Sequence, residues 1–194
     1  MDIEIRKLTP DLAEAYVHFF DVTPHDVNID EQKCYCITWR NDSTYEGNDH
    51  WYATREERRA RALGFVKSGC IQGYFAYLNG EIIGWCNATA DCQGGVAYLR
   101  SFWPIEEPRE GVRIKSIFCF VIAPHLQRQG IATRILERIC EDATQEGFDF
   151  VEAYTNENHT DLDFRGPLAM YEKCGFYRCA KQDGRIVVRK ALQI

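Results

Sequence analysis

The sequence predicts a mixed α/β fold, a sheet of parallel and antiparallel strands with helices on both faces. Three observations carry that reading. Ile117–Ile122 is an unbroken apolar run rich in β-branched and aromatic residues, as in a strand buried on both sides. After a short turn an amphipathic helix follows, with Ile131, Ala132, Ile135, Leu136, Ile139, Cys140 and Ala143 on one face. Thr133, Arg134, Glu137, Arg138, Glu141 and Asp142 fill the other face. Finally, strand and helix patterns alternate with two hairpin signals, Asn79-Gly80 and Asp183-Gly184, which require antiparallel neighbours beside any crossover.

Each element has its own signal. Asp2–Leu8 alternates Ile3 and Ile5 with charged residues, a half-buried strand. Thr9-Pro10-Asp11 supplies a hydroxyl cap, a proline at the first helical position and a first-turn acid. The helix it opens has Leu12, Ala15, Tyr16 and Phe19 as its apolar face and should end near Phe20. Asp21–Ala53 is the least regular part. Within it Cys34–Trp39 reads as a strand, and the scattered His and Asp residues, lacking ligand spacing, read as solvated loop rather than a metal site. Thr54 and Glu57 fit a capping box for a basic helix, Arg55–Ser68, whose arginines alternate with acids and read as a solvated face. Tyr74–Leu78 and Glu81–Thr89 flank Asn79-Gly80 as a hairpin. Asp91–Gly111 reads as a loop in which Trp103 either packs or covers the pocket, packing being the safer reading.

Gly147 stops the helix after the central strand, and Phe148–Tyr154 is the next strand, with Phe148, Phe150, Glu152 and Tyr154 on one face. A polar loop, Asn156–Arg165, leads to Gly166-Pro167 and a short helix that Gly175 ends. Phe176–Ala180 and Arg185–Ala191 close the chain as a hairpin.

Composition narrows the class. At 194 residues and 45% hydrophobic, the chain suits one sizeable core, a single domain over 1–194. No apolar run is long enough to cross a bilayer, and Met1–Leu8 reads as neither a signal nor a transit peptide, so a cytoplasmic protein is expected. The nine cysteines contain no Cys-x-x-Cys pair, and Cys86, Cys119 and Cys140 sit in apolar runs, so buried thiols are expected. A net charge of −6 argues against a nucleic-acid partner and leans towards small cationic substrates.

Chemistry is expected at the turn after the central strand, Gln127-Arg128-Gln129-Gly130-Ile131-Ala132-Thr133. The first N–H groups of a helix have no intrahelical partners and carry the positive end of its dipole, so they suit a phosphate. Gly130 and Ala132 keep the approach clear of large side chains. The spacing of Gln127, Gly130 and Ala132 resembles the coenzyme A pyrophosphate loop of the GCN5-related N-acetyltransferase (GNAT) superfamily. Downstream, Gly166–Phe176 resembles that superfamily's last motif, a short helix that carries a tyrosine and ends in Gly-Phe. The likeness covers Lys115–Ile194 well and the first half of the chain in outline.

The resemblance implies a mostly antiparallel central sheet, acetyl-CoA as donor and an amine, free or on a peptide, as acceptor. It implies that Arg128–Thr133 with Gln127 hold the pyrophosphate, that the backbone of Phe120, Val121 and Ile122 pairs with the pantetheine arm like an added strand, and that Gly166 borders the cofactor. It makes Tyr171 the general acid that protonates the leaving thiolate; a phenol of pKa about 10 can donate to a thiolate whose own value is nearer 8.5. Many members carry an asparagine about seven residues before that tyrosine, where this chain has Phe164. The central strand also lacks the glutamate that serves many relatives as base, leaving Glu152 as the nearest match and Asp21, His25 and Asp26 in reserve. Water relaying the proton to bulk is a further option. Trp39, Arg40 and Trp51 are candidates for lining the acceptor pocket, with plain packing as the alternative. A monomer or homodimer is expected, without membrane or nucleic-acid partner. Two other readings stand beside the enzyme: a non-catalytic acyl-CoA sensor on the same scaffold, and a nucleotide-binding α/β protein, which the missing Gly-x-x-x-x-Gly-Lys-Ser/Thr motif disfavours.

Overall fold

Strands β1 (Ile3–Lys7), β2 (Gly73–Leu78), β3 (Glu81–Thr89), β4 (Ile114–Ile122), β5 (Phe150–Asn156), β6 (Tyr177–Gln182) and β7 (Arg185–Ala191) form one sheet, in the order β1-β2-β3-β4-β5-β7-β6. The helices are α1 (Ala13–Val22), α2 (Arg55–Lys67), α3 (Ile131–Gln145) and α4 (Leu168–Lys173). The structure is a computed structural model and describes residues 2–24, 33–37, 54–89, 103, 108–160 and 164–192. Among these, β4 and β5 are the parallel pair, joined by the crossover helix α3, and the other pairings are antiparallel.

The register of β4 decides the shape of the middle of the sheet. Asn87 on β3 faces Cys119, and the next residue, Ala88, faces Ile117, so Phe118 is an extra residue on β4. At the same place β4 leaves β5: their ladder runs from Ile114 with Phe150 to Ile117 with Ala153 and stops. Beyond it β4 keeps β3 on one side and has a wedge on the other.

Each face is covered by a different set of helices. Against α3 pack Ile117, Phe120, Val151 and Ala153, meeting Ile135, Leu136, Ile139 and Ala143. Against α1 and α2 pack Phe75, Trp85, Cys119 and Val121, meeting Tyr16, Phe20, Ala62 and Val66. Burying large side chains such as Tyr16, Phe75 and Trp85 contributes about 1.5–3 kcal/mol each before ordering costs. A smaller cluster of Trp103, Phe118, Tyr154 and Val187 lies beside the wedge.

Most elements stand where the sequence puts them. Asn79 and Gly80 both take positive φ, 53° and 84°, as the tight turn requires. The Thr54 hydroxyl accepts from the Glu57 N–H at 3.1 Å, the expected cap. Cys86, Cys119 and Cys140 are buried thiols, and burial pushes Cys140 up to about 11.

Three expectations fail. Residues 33–37 form a turn rather than a strand, with Tyr35 and Cys36 at φ 47° and 52°, because both side chains bury under α1 and α2. The arginines of α2 are not a solvated face: buried Arg58 donates from Nε to the Lys33 carbonyl at 2.8 Å, and Arg59 pairs with Asp21 at 2.9 Å. Arg58 holds the turn to α2, and Arg59 ties α1 to it. Asp142, expected on the wet side of α3, is buried, accepting from Arg138 at 2.8 Å and from the Tyr74 hydroxyl at 3.1 Å.

Candidate active site

Two features of the chain build an anion site at the head of α3. After β4, a 3-10 turn at Pro124–Leu126 redirects the backbone, and Arg128 and Gly130 take positive φ, 61° and 80°. The first intrahelical bond runs from the Arg134 N–H to the Gly130 carbonyl at 3.1 Å, so the amides of Ile131, Ala132 and Thr133 have no acceptor within the helix. A Cβ at Gly130 would meet no heavy atom within 4 Å, so the approach is open. Gln127–Gly130 are exposed, whereas Ile131 is buried and can offer only its backbone. Two expected ligands have another task. The Gln127 side chain donates to the Ile122 carbonyl and that of Gln129 to the His125 carbonyl, each at 3.3 Å, which fixes the turn.

The wedge between β4 and β5 is filled by the chain itself. Phe164–Gly166 crosses it as a strap, with all three carbonyl oxygens taken. The Phe120 N–H donates to the Phe164 carbonyl at 2.5 Å, the Tyr171 hydroxyl to that of Arg165 at 2.6 Å, and the Thr155 hydroxyl to that of Gly166 at 2.6 Å. Gly166 has φ 81°, so glycine is needed for conformation, while a Cβ there would lie 2.9 Å from the flexible tip of Met170 and 3.4 Å from the Tyr171 hydroxyl. The expected row of three free backbone groups on β4 is therefore corrected. Phe120 and Ile122 face the wedge, but the Phe120 N–H is bonded to the strap and the Ile122 carbonyl to Gln127. Val121 faces the other way by strand alternation, in register with Trp85 on β3.

Tyr171 is fully buried, its ring 5.4 Å from that of Phe176 and 6.5 Å from that of Phe120, with the hydroxyl aimed at the strap. Glu152, also fully buried, has both oxygens engaged: the Tyr154 hydroxyl donates to one, and Arg189 Nε to the other at 2.6 Å. Tyr171 packs on the α3 side, and Glu152 with Tyr154 lies on the opposite face. The wedge separates them. Asp21 is committed to Tyr35, Arg59 and Arg55, while His25 and Asp26 lie outside the described residues. So do Trp39, Arg40 and Trp51. Trp103 is buried edge-on to Tyr154 at 5.8 Å, under the Arg165 guanidinium at 5.2 Å. No group of His, Cys, Asp and Glu among the described residues is arranged to hold a metal.

One row of polar residues escaped the sequence reading. Thr89, Ser116, Glu152 and Arg189 are register partners across β3, β4, β5 and β7, so they share a face of the sheet. Thr89 Oγ1, Ser116 Oγ and one Arg189 Nη atom are buried without hydrogen-bond partners, as is Oδ1 of Asn87, two residues before Thr89 on the same face. The only signal in the sequence was a hydroxyl or amide inside otherwise apolar strands.

The comparisons with known proteins follow this geometry. The profile described as "Acetyltransferase (GNAT) family" matches residues 32–176. The chain belongs to that family. No curated protein sequence matches it. Among solved structures, the GNAT domain of S. lividans PAT matches with a TM-score of 0.59 at 16% identity, covering 98% of this chain and 90% of that one. PaiA N-acetyltransferase from Thermoplasma acidophilum, in complex with coenzyme A, gives 0.56 at 15% identity over 98% and 99%. An N-acetyltransferase from Staphylococcus aureus gives 0.55 at 10% identity over the full length of both chains. At such identities the likeness is one of fold: a mixed α/β GNAT sheet, mostly antiparallel, as the resemblance implied. No described helix of this GNAT protein is long and apolar enough to cross a membrane.

Proposed function

We propose that this GNAT protein is an N-acetyltransferase that moves an acetyl group from acetyl-CoA to a primary amine of a small molecule or peptide, as one domain over 1–194 acting in the cytoplasm as a monomer or homodimer. The observation that carries the reading is the open amide cluster at Ile131–Thr133, which follows the end of β4 beside a wedge bordered by the Tyr171 hydroxyl.

The residues present fit the donor. The amides at the head of α3, with Arg128 beside them, would hold its diphosphate. Three hydrogen-bond donors border the wedge, the Phe120 N–H and the hydroxyls of Thr155 and Tyr171, and all three now hold the strap. A pantetheine arm offers carbonyl oxygens of the same kind, so it would compete with the strap for the backbone Phe120 N–H and, on taking it, displace the strap from the two hydroxyls that tie it. Acetyl-CoA supplies an acetyl group on a thiol leaving group. Tyr171 holds a proton at its hydroxyl and, released from the Arg165 carbonyl, can give it to the departing sulfur. On the opposite face, Tyr154 and Glu152 form a hydrogen-bonded pair through which the amine's surplus proton can leave, Tyr154 accepting it while passing its own to Glu152.

Calorimetric titration with coenzyme A, followed by thiol release from acetyl-CoA across a panel of amines, tests the reading. Binding with amine-dependent release is the expected result. The filled wedge and the fully engaged Glu152 favour a second reading, an acyl-CoA sensor, for which the outcome is tight binding without release.

A further inference from the structure

We propose that the face of the sheet opposite α3 carries a built acceptor subsite, which selects an amine with a carbonyl or carboxylate oxygen nearby, such as an amino acid derivative or a peptide N-terminus. The inference rests on the acetyltransferase reading and goes beyond it by naming the substrate class.

The argument is an account of free valences. A buried hydroxyl or guanidinium nitrogen without a partner forfeits water and gains nothing, so an in-register set of them across neighbouring strands calls for a ligand. Glu152 and Arg189 cancel each other's charge at 2.6 Å, and Tyr154 spends its proton on Glu152. What is left over is mostly donating: an N–H of Arg189 and the hydroxyls of Thr89 and Ser116. Thr89 and Ser116 are both fully buried. At the end nearer the β4 bulge, Asn87 adds a free amide oxygen, while its own nitrogen is spent on the Cys36 sulfur at 3.4 Å. The row therefore has polarity. Its acceptor, Asn87, lies beside Cys119, where the wedge opens, and suits an amine N–H. Its cation, Arg189, lies two strands beyond β4 and reaches back over β5 to Glu152, and suits an oxygen.

Strands lie about 4.8 Å apart, so an amine at Asn87 and an oxygen within reach of Ser116 and Arg189 are separated by a few bonds, the size of an amino acid residue. A polyamine fits poorly. Its second ammonium would find no free carboxylate there, Glu152 being paired with Arg189. Net acidity alone leans towards cationic substrates; the local chemistry of this face does not.

The test compares L-alaninamide with isopropylamine, a matched pair with and without the oxygen. Both are used at equal concentrations of neutral amine, because an α-amino group titrates near pKa 8 and an alkylamine nearer 10.4. The first readout is the melting temperature of the full chain with each amine. The second is the ratio of kcat/KM for the two. Alaninamide should raise the melting temperature where isopropylamine does not, and be preferred at least about tenfold in kcat/KM, the worth of one good charge-assisted hydrogen bond. Ser116→Ala and Thr89→Val should each lower that ratio roughly three- to fivefold and reduce the alaninamide shift. Without ligand they should melt no lower than the parent, since each deletes a buried hydroxyl that has no partner. Equal shifts or a ratio near one in the parent would overturn the inference, as would variants that lower melting and leave the ratio intact. If no amine releases thiol, the enzyme reading falls; the melting readout then still decides whether the row binds the oxygen-bearing amine.

Discussion

The two ends of the candidate donor site are built in opposite ways. The head of α3 is exposed, its amides uncommitted, with its turn held open by Gln127, Gln129 and the positive φ of Gly130. The wedge between β4 and β5 is closed, with three donors on its border held by the carbonyls of Phe164, Arg165 and Gly166. A diphosphate would meet a finished site, whereas the arm attached to it would have to replace an intramolecular ligand of similar chemistry. The difference teaches that anchoring and arm insertion are separate free-energy steps, and that substitutions can move one without the other.

The largest expected effect breaks the chemistry and spares both ends. Tyr171→Phe removes the proposed proton donor and one tie of the strap, so turnover should fall at least about tenfold, ~1.4 kcal/mol of barrier, while affinity for coenzyme A does not weaken. Steady-state rates beside a calorimetric titration check this. Next comes the open end. Gly130→Ala places a side chain at φ 80° with no clash, so its effect is conformational strain of ~1 kcal/mol, and coenzyme A should bind roughly fivefold more weakly. A smaller effect of opposite sign belongs to the closed end. Thr155→Val deletes the hydroxyl that holds the Gly166 carbonyl, loosening the strap by one net hydrogen bond of about 0.5–1.5 kcal/mol, and coenzyme A should bind about threefold tighter. An unchanged or weakened affinity would mean that the strap does not compete.

The least effect tests the frame around both ends. Burial pushes the Asp21 carboxyl up, but the Tyr35 hydroxyl, Arg59 and Arg55 outweigh it and hold it below the usual range. Asp142 is likewise held low against its burial, by Arg138, Tyr74 and Lys7, and Glu146 by Lys115 and Lys7. A carboxyl depressed in the folded state adds stability above its unfolded pKa, about 3.9 for Asp and 4.3 for Glu, and loses it as pH falls through the folded value. For these groups the melting temperature should be level from pH 7 to about 5 and drop below about 4, with a shallower drop in Asp21→Asn.

How far the sequence could be read depends on which atoms carry the information. The β4–α3 unit was legible because side-chain period and one glycine encode it, and Asn79-Gly80 named its own turn. Tyr171 was singled out by resemblance alone, and the structure adds its burial against the strap. The strap was not, because Phe164–Gly166 act through carbonyl oxygens that every residue has. The pairing of Val121 with β3 depends on a bulge at Phe118, which no side-chain pattern marks. Thr89, Ser116, Glu152 and Arg189 become a row only once four strands are in register. Cys34–Trp39 looked like a strand because it is apolar and β-branched, yet burial of Tyr35 and Cys36 under α1 and α2 outweighed that local preference. The same packing drew Arg58 and Arg59 inwards, against the alternation of charge that suggested a wet helix.

The most direct measurement is a crystal structure of the full chain with coenzyme A. The account predicts the diphosphate within hydrogen-bond distance, about 2.7–3.2 Å, of the Ile131–Thr133 amides, Phe164–Gly166 withdrawn from the wedge, and the sulfur beside the Tyr171 hydroxyl. Coenzyme A bound elsewhere, or bound with the Phe120 N–H still on the Phe164 carbonyl, would contradict it.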